Sequence, residues 1–375
     1  MALVTRPTRQ RARFHPLAVT DVERLTDDAV AVTFEVPNEL RPDYRFEPGQ
    51  HLTLRATIEG EDVRQSYSIC QSRSGRGGDG RLRVASAVVQ GGRMSTWLNT
   101  TVRAGDQIEV MTPMGSFTCP TRPELARHHV AVAAGSGITP VLSLLSTVLE
   151  EEPLSRVTLL FGNRRTSTVM FLEELEDLKN RYPDRFQLIH VLSREPQDVA
   201  LFSGRLDPDR LARILDAVVP VAGVDEWYLC GPFGMVTGAQ ALLQDRGVDP
   251  HHVHHEIFHV VEQGDPATGR PRPPVGVDAS VPPAATVTVT LDGRTTVVPM
   301  PSLDESILDA TLRLRPDAPF SCTNGVCGTC RARLVEGEVR MDRNYALEPD
   351  EVAAGMILAC QAHPVSPTAT IEFDA

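Results

Sequence analysis

Three domains in series are predicted for this chain of 375 residues: an antiparallel β-barrel, an α/β domain on a parallel sheet, and a small C-terminal domain built around a cysteine loop. Three observations carry the prediction. Short alternating strands separated by turn residues fill the first third. Strands then alternate with helical segments over residues 123–261, the pattern of a parallel sheet. Beyond a proline- and glycine-rich stretch, residues 262–285, three cysteines fall within nine positions in FSCTNGVCGTC. Length agrees, at roughly 100–200 residues per domain.

Bulk properties narrow the class. A hydrophobic content of 41% with 23% charged residues is that of a soluble globular protein. No window holds the ~20 consecutive apolar residues that a membrane span needs. The N-terminus, MALVTRPTRQRARFHP, is basic but lacks the apolar core of a secretory signal. Seven cysteines, an odd number, argue against a disulfide framework. The expectation is a cytoplasmic protein. A net charge of −12 disfavours nucleic acid and anionic membranes as partners.

The first domain is placed at residues 10–122. Val30, Val32, Phe34 and Val36 alternate with Ala31, Thr33 and Glu35, and RLRVASAVV and QIEVM follow as further strands. Two stretches inside it are candidates for ligand contact. VRQSYSIC holds Arg64, Gln65, Ser66, Tyr67 and Ser68 on a strand, where cross-strand packing is the competing reading. QGGRMSTWL places Gly91 and Gly92 before Arg93, Met94 and Ser95, with a helix expected to begin at Ser95. Paired glycines ahead of a helix N-terminus present free N–H donors to an anion, and equally suit a plain helix cap.

The second domain is placed at residues 123–261. HHVAVAAGSGITPVLSLL reads as a buried strand, a tight turn at Gly135-Ser136-Gly137, and a helix capped by Thr139 with Pro140 at its first position. Such a turn sets backbone donors where a pyrophosphate would lie. In RVTLLFGNRR and FQLIHVLSR, Arg164 and the pair Ser193-Arg194 stand at carboxyl ends of strands, where ligands of parallel sheets bind. Arg194 is the candidate for gripping the 2′-phosphate of NADPH, with a solvated surface arginine as the alternative. EWYLCGPFGM brings Cys230, Gly231 and Pro232 to the last such end. In HHVHHEIFHV, His252, His254 and Glu256 alternate, which opens a metal-binding alternative.

The third domain is placed at residues 286–375, after the linker at 262–285. TVTVTLDGRTTVVPM alternates around Asp292-Gly293, a hairpin signal. A helical period follows at Ile307, Leu308, Thr311 and Leu312. Cys322-x4-Cys327-x2-Cys330 with the distant Cys360 is plant-type [2Fe–2S] spacing. Two irons each take two thiolates, and Gly325 and Gly328 let the chain curl around them. Zinc, or four unrelated reduced cysteines, are the alternatives.

From LDESILDA to ILACQAHP the tail resembles plant-type ferredoxins, and VEGEVRMDRNYALEPDEVAAG resembles the ferredoxin domain of phenylacetyl-CoA epoxidase reductase subunits. That resemblance implies a β-grasp fold. The motifs RQSYS, GGRMS, GSGITP, FGNRR, LSR and CGPFGM, in this order, resemble ferredoxin–NADP reductase-type flavoproteins. The resemblance implies FAD, with Tyr67 on the isoalloxazine, Ser68 near its reactive nitrogen, and Gly92 to Ser95 around the pyrophosphate. It places Gly137 and Thr139 between flavin and dinucleotide, Cys230, Gly231 and Pro232 in the nicotinamide pocket, and Glu256 and Phe258 closing it. The family's R-x-Y-S motif has arginine where this chain has Gln65; Arg64 stands one step earlier, on the other strand face unless the strand bulges.

The path implied runs from NADPH through FAD and a [2Fe–2S] cluster to a di-iron oxygenase component, that of phenylacetyl-CoA epoxidase. Reductases of ring-hydroxylating or alkane oxygenases share the same parts. A zinc-binding structural or redox-sensing protein is the alternative of another class.

Overall fold

The computed structural model describes residues 12–74, 80–259 and 282–374. Six antiparallel strands open the chain: β1 (Phe14–Thr26), β2 (Ala29–Glu35), β3 (His51–Ile58), β4 (Glu61–Ser68), β5 (Arg81–Ala87) and β6 (Gln107–Met111), in the order β4-β3-β6-β1-β2-β5. A bridge between Ile69 and Val84 joins the end of β4 back to β5 and curls the sheet into a barrel. Helix α1 (Arg93–Thr100) packs against it.

Strand alternation divides β2 between two cores. Val30, Val32 and Phe34 point inward to Leu52, Leu54 and Val110. Ala29 and Ala31, with Ala85 of β5, point outward into a core shared with the second domain, against Val141, Leu144 and Leu145. Small side chains let a helix approach the barrel wall closely. The inward residues each bring about 1.5–3 kcal/mol of burial. The first two domains are thus fused by a common apolar layer.

The second domain is a parallel sheet of β7 (His128–Ala134), β8 (Arg156–Asn163), β9 (Phe186–Leu192), β10 (Glu226–Pro232) and β11 (Val253–His259), ordered β11-β10-β7-β8-β9. Helices α2 (Ile138–Glu151) and α3 (Leu172–Arg181) contribute to the core on one face. Helices α4 (Pro208–Ala217) and α5 (Phe233–Asp245) contribute to the core on the other. In β7, Ala131 and Ala133 face α2 while Val130 and Val132 face α4 and α5, so a continuous apolar run serves both layers. Near the start of β7, Glu152 is fully buried and ion-paired to Arg127, with His129 at 3.3 Å and the Ser155 hydroxyl donating at 2.6 Å.

The third domain has its own core. Strands β12 (Ala285–Leu291), β13 (Arg294–Met300), β14 (Arg331–Glu336), β16 (Met356–Leu358) and β18 (Thr368–Glu372) form a mixed sheet ordered β13-β12-β18-β14-β16, with β12 and β18 parallel. Strands β15 (Val339–Met341) and β17 (Ala362–Pro364) pair separately. This is the expected β-grasp, with α6 (Ile307–Leu312) against the sheet and α7 (Pro349–Ala353) near its edge. Asp292 and Gly293 both have positive φ, 53° and 67°, as a two-residue hairpin turn demands. Ser306 caps α6, accepting from the Asp309 N–H at 3.1 Å. Residues 262–281 of the expected linker lie outside the described residues, and β12 begins at Ala285.

Candidate electron-transfer site

All three domains line one cavity of about 200 Å³. The barrel contributes Arg64 to Ser68 of β4 and Gly91 to Ser95. The parallel-sheet domain contributes Ser136, Thr139, Glu256 and Phe258, and the β-grasp domain contributes Cys322 and Cys327. A second cavity of about 490 Å³ lies beside it, and His51, Glu256 and Cys327 border both.

Strand β4 faces two ways. Its register against β3 is unbroken, Arg64 opposite Arg55, Gln65 opposite Leu54 and Tyr67 opposite Leu52. The bulge that would carry Arg64 to the Gln65 side is absent from this pairing. Tyr67 packs against the barrel core. Arg64 and Ser66, on the alternate face, meet the β-grasp domain. The Arg64 guanidinium lies 4.1 Å from the centre of the Phe320 ring, and Ser66 Oγ donates to Ser321 Oγ at 2.9 Å. His51 of the neighbouring strand reaches Thr329 Oγ1 at 3.3 Å.

The glycine turn leads directly into α1, which starts at Arg93 with Gly92 as its cap, two residues before the position expected for Ser95. Ser95 instead sits inside the first turn, its hydroxyl donating to Gly92 O and accepting from Val89 N, both at 3.1 Å. Arg93 pairs with Glu61 at 2.7 Å. The Nε atoms of Arg93 and Arg64 are buried without a hydrogen-bond partner while both side chains border the cavity. Arg93, beside the glycine turn and with a buried donor still short of an acceptor, fits a pyrophosphate, whereas Arg64 faces the β-grasp domain.

Thr139 is likewise not the cap of α2. A 3-10 turn over Gly135–Gly137 rolls straight into the helix, so Gly137 is the cap, Pro140 falls at the third helical position, and the Thr139 hydroxyl donates back to Ser136 O at 3.0 Å. Gly137 is needed for space: a Cβ there would stand 2.3 Å from the carbonyl oxygen of Cys230. The two turns therefore touch backbone to backbone, and Gly231 beside them has φ +156°.

Cys230 is fully buried, and burial, with the Glu256 charge adding to it, raises its thiol well above the ordinary range. Burial first, and then the neighbouring Cys327, pushes the Glu256 carboxyl up to about 8, and its Oε2 has no partner. His252 and His254 turn instead to Glu226, at 3.5 and 3.0 Å, away from Glu256. Arg164, Arg165, Ser193 and Arg194 are exposed together at the ends of β8 and β9, where the N–H of Arg194 donates to Arg164 O at 2.8 Å.

The cysteine loop is shaped by three positive φ angles, at Thr323, Gly325 and Gly328. Its thiols interact in two pairs, Cys322 with Cys327 and Cys330 with Cys360. Backbone donors point at them: Cys327 N lies 3.4 Å from Cys322 Sγ, and Thr329 N lies 3.5 Å from Cys327 Sγ. The Cys322 hydrogen bond leads the effects that lower Cys327 to about 6. Two thiol pairs among inward N–H groups fit two irons better than one tetrahedral ion.

Comparison with known proteins agrees, module by module. Residues 16–119 match the oxidoreductase FAD-binding domain, 131–241 the oxidoreductase NAD-binding domain, and 289–365 the 2Fe-2S iron-sulfur cluster binding domain. Over 362 residues the chain is 41% identical to a component of the 1,2-phenylacetyl-CoA epoxidase of Escherichia coli K12, covering 96% of this chain and 98% of that protein. The chain belongs to the family of oxygenase reductases that includes this component. A second relative of the reductase, the ferredoxin reductase component of 3-ketosteroid-9-alpha-monooxygenase from Mycolicibacterium smegmatis, is 35% identical over 96% of each chain. Phthalate dioxygenase reductase shares the fold, with a TM-score of 0.56 at 22% identity over 96% of this chain and 98% of that one.

The reductase thus carries FAD, a nicotinamide nucleotide and a [2Fe–2S] cluster, and the cluster match sets aside the zinc alternative. No helix among the described residues is long and apolar enough to cross a membrane. His51, Ser321 and Thr329 were not legible as site residues, because each acts through a partner more than 250 positions away.

Proposed function

We propose that this reductase takes hydride from NADPH and passes electrons singly, through FAD and the cluster, to the di-iron oxygenase of a phenylacetyl-CoA epoxidase system. The observation that carries the reading is the single cavity bordered by Tyr67 and Ser68, by Thr139 and Glu256, and by Cys322 and Cys327. When bound, flavin supplies the conversion of a two-electron donor into one-electron steps, and the cluster supplies a one-electron carrier.

The chain's own residues prepare that cavity. Gly91 to Ser95 and the unpartnered Nε atom of Arg93 hold the flavin phosphates, with Gln65 leaving the usual arginine position without charge and Arg64 turned to the β-grasp domain. Tyr67 offers its ring to the isoalloxazine, and Ser68 its hydroxyl beside the reactive nitrogen. Gly135, Gly137, Thr139 and Pro140 shape the dinucleotide cleft, and Gly231 and Pro232 border the nicotinamide. Cys230 and Glu256 are kept protonated near neutral pH by burial, so no fixed negative charge opposes the arriving hydride. Glu256 holds its proton at a carboxyl open to the cavity. Cys322, Cys327, Cys330 and Cys360 hold the irons.

Preference for NADPH rests on Arg164, Arg165 and Arg194, exposed arginines at adjacent strand ends that suit a 2′-phosphate. All seven cysteines are free, which suits the reducing cytoplasm where we place the reaction. The 35% identity to a ketosteroid monooxygenase component favours a second reading, in which the acceptor is another oxygenase. Reconstitution with purified phenylacetyl-CoA epoxidase oxygenase decides between them. Epoxide formation dependent on this chain and NADPH supports the first, and its absence with active oxygenase supports the second.

A further inference from the structure

Two arginines of the barrel domain reach across to the nucleotide domain in the same way. Arg73, in the stretch after β4, is shared between Glu47 of its own domain and Glu151 at the end of α2, both at 2.5 Å. Arg83 of β5 is shared between Glu23 of β1, at 2.6 Å, and Glu174 of α3, at 2.5 Å. Each guanidinium thus joins one carboxylate from each domain. Arg83 is 4% exposed and lies 5.1 Å from the ring of Phe171, the residue that caps α3 with a positive φ of 60°.

The apolar layer between the two domains cannot set their register by itself. Strands β2 and β5 offer it Ala29, Ala31 and Ala85, and a wall of methyl groups has no ridges for α2 to interlock with. Directional contacts supply what the layer lacks. The Ser143 hydroxyl donates to Gln71 O at 2.7 Å, and the Arg73 N–H donates to Thr147 Oγ1 at 3.1 Å. The Arg73 guanidinium grips both oxygens of Glu151. Ser143, Thr147 and Glu151 follow at four-residue intervals on one face of α2. Forked pairs of this kind fix angle as well as distance.

The other end of α2 is the glycine turn, where Thr139 borders the same cavity as Tyr67 and Ser68. The 14 residues of α2 span ~20 Å, so a tilt of about 3° at the Arg73 end moves the turn by about 1 Å. A misplacement of about 1 Å can cost about a hundredfold in rate. We propose that Arg73 and Arg83 are positioning residues for hydride transfer, holding the nucleotide domain at one angle to the flavin barrel. The proposal rests on the reading above, that nucleotide and flavin meet in this cavity. The hydride carries its electron pair from the reduced nicotinamide, which is oxidised, to the flavin, which is reduced. Neither arginine lines the cavity; each acts through the helix it holds.

The test is anaerobic stopped-flow reduction of the FAD-loaded full chain by NADPH over a range of concentrations. It separates the limiting rate of flavin bleaching from nucleotide affinity. In Arg73→Gln and in Arg83→Gln the limiting rate is expected to fall about tenfold or more, with the apparent Kd within about twofold of the parent. The long-wavelength charge-transfer absorbance of the nucleotide–flavin complex is expected to weaken in step, since it reports the overlap of the two rings. Arg55→Gln breaks ion pairs to Asp62 and Glu109 that stay within the barrel, and is expected to leave rate and absorbance unchanged. Arg73 has 32% of its side chain exposed, so Arg73→Gln decides the matter if the buried Arg83→Gln does not fold. An unchanged limiting rate in Arg73→Gln, with or without a loss of affinity, overturns the proposal, and so does an equal fall in Arg55→Gln. A parent flavin that NADPH does not reduce overturns the reading on which the proposal rests.

Discussion

The hydroxyl of Ser66 donates to that of Ser321 across 2.9 Å, joining the flavin strand to the residue just before Cys322. The next residue along, Tyr67, packs into the barrel core on the opposite strand face. A single strand thus places its flavin-side and cluster-side groups one step apart, by the period-two alternation of β structure.

Because the β-grasp domain has its own core, the cluster and the flavin are expected to be separable. Cys327→Ser removes the cluster's absorption and paramagnetic signal while the purified protein stays yellow and oxidises NADPH with a small hydride acceptor. Loss of flavin along with the cluster would count against this.

Arg194→Ala is expected to weaken NADPH about ten- to hundred-fold while leaving NADH much less affected, the effect of one lost charge-assisted contact of about 1.5–3 kcal/mol. Steady-state kinetics with both nucleotides give the answer. Equal losses would place Arg194 outside the phosphate site.

Glu152 anchors the second domain. Burial alone would raise its carboxyl, but hydrogen bonds from His129, Arg127 and Ser155 outweigh it and hold the group at about 2. A depressed carboxyl contributes stability above its unfolded value near 4.5, lost as pH falls toward 2. Glu152→Gln leaves Arg127 facing a neutral partner and is expected to cost about 3 kcal/mol near neutral pH. Denaturant melts should show the gap between variant and parent shrinking between pH 4.5 and 2. A gap independent of pH would exclude the ionised carboxylate as its origin.

The excess of carboxylates over arginines in residues 286–375 is expected to steer docking to the oxygenase. Screening reaches ~8 Å at physiological ionic strength. Electron delivery at limiting oxygenase should therefore slow steeply across a salt series, while NADPH-to-flavin reduction changes little. Stopped-flow traces of both steps supply the comparison, and a salt-insensitive delivery step would show the charge to be ordinary solubilising surface.

What the sequence made legible was local and periodic. Alternation at Val30, Val32 and Phe34, the Asp292-Gly293 turn and the cysteine spacing each depend on neighbours a few positions apart. Both helix starts fall two residues earlier than Ser95 and Thr139 suggest, because glycine turns enter both helices without a side-chain cap. The alternate alanines of β2 are visible as a pattern, but not the helix they admit. The docking of Arg64 on Phe320 joins positions far apart in the chain, and nothing local to RQSYS announces it. Gln65 at the usual arginine position is visible; that Arg64 serves a different face required the register of β4.

The central claim is that nicotinamide electrons leave this chain through the cluster for a phenylacetyl-CoA epoxidase oxygenase. Its most direct test is a reconstituted reaction of purified oxygenase, phenylacetyl-CoA, oxygen and NADPH, counting epoxide formed per nucleotide oxidised. The account predicts about one epoxide per NADPH with the intact chain and none with Cys327→Ser. NADPH oxidation without epoxide, using oxygenase shown to be active with another reductase, would contradict it.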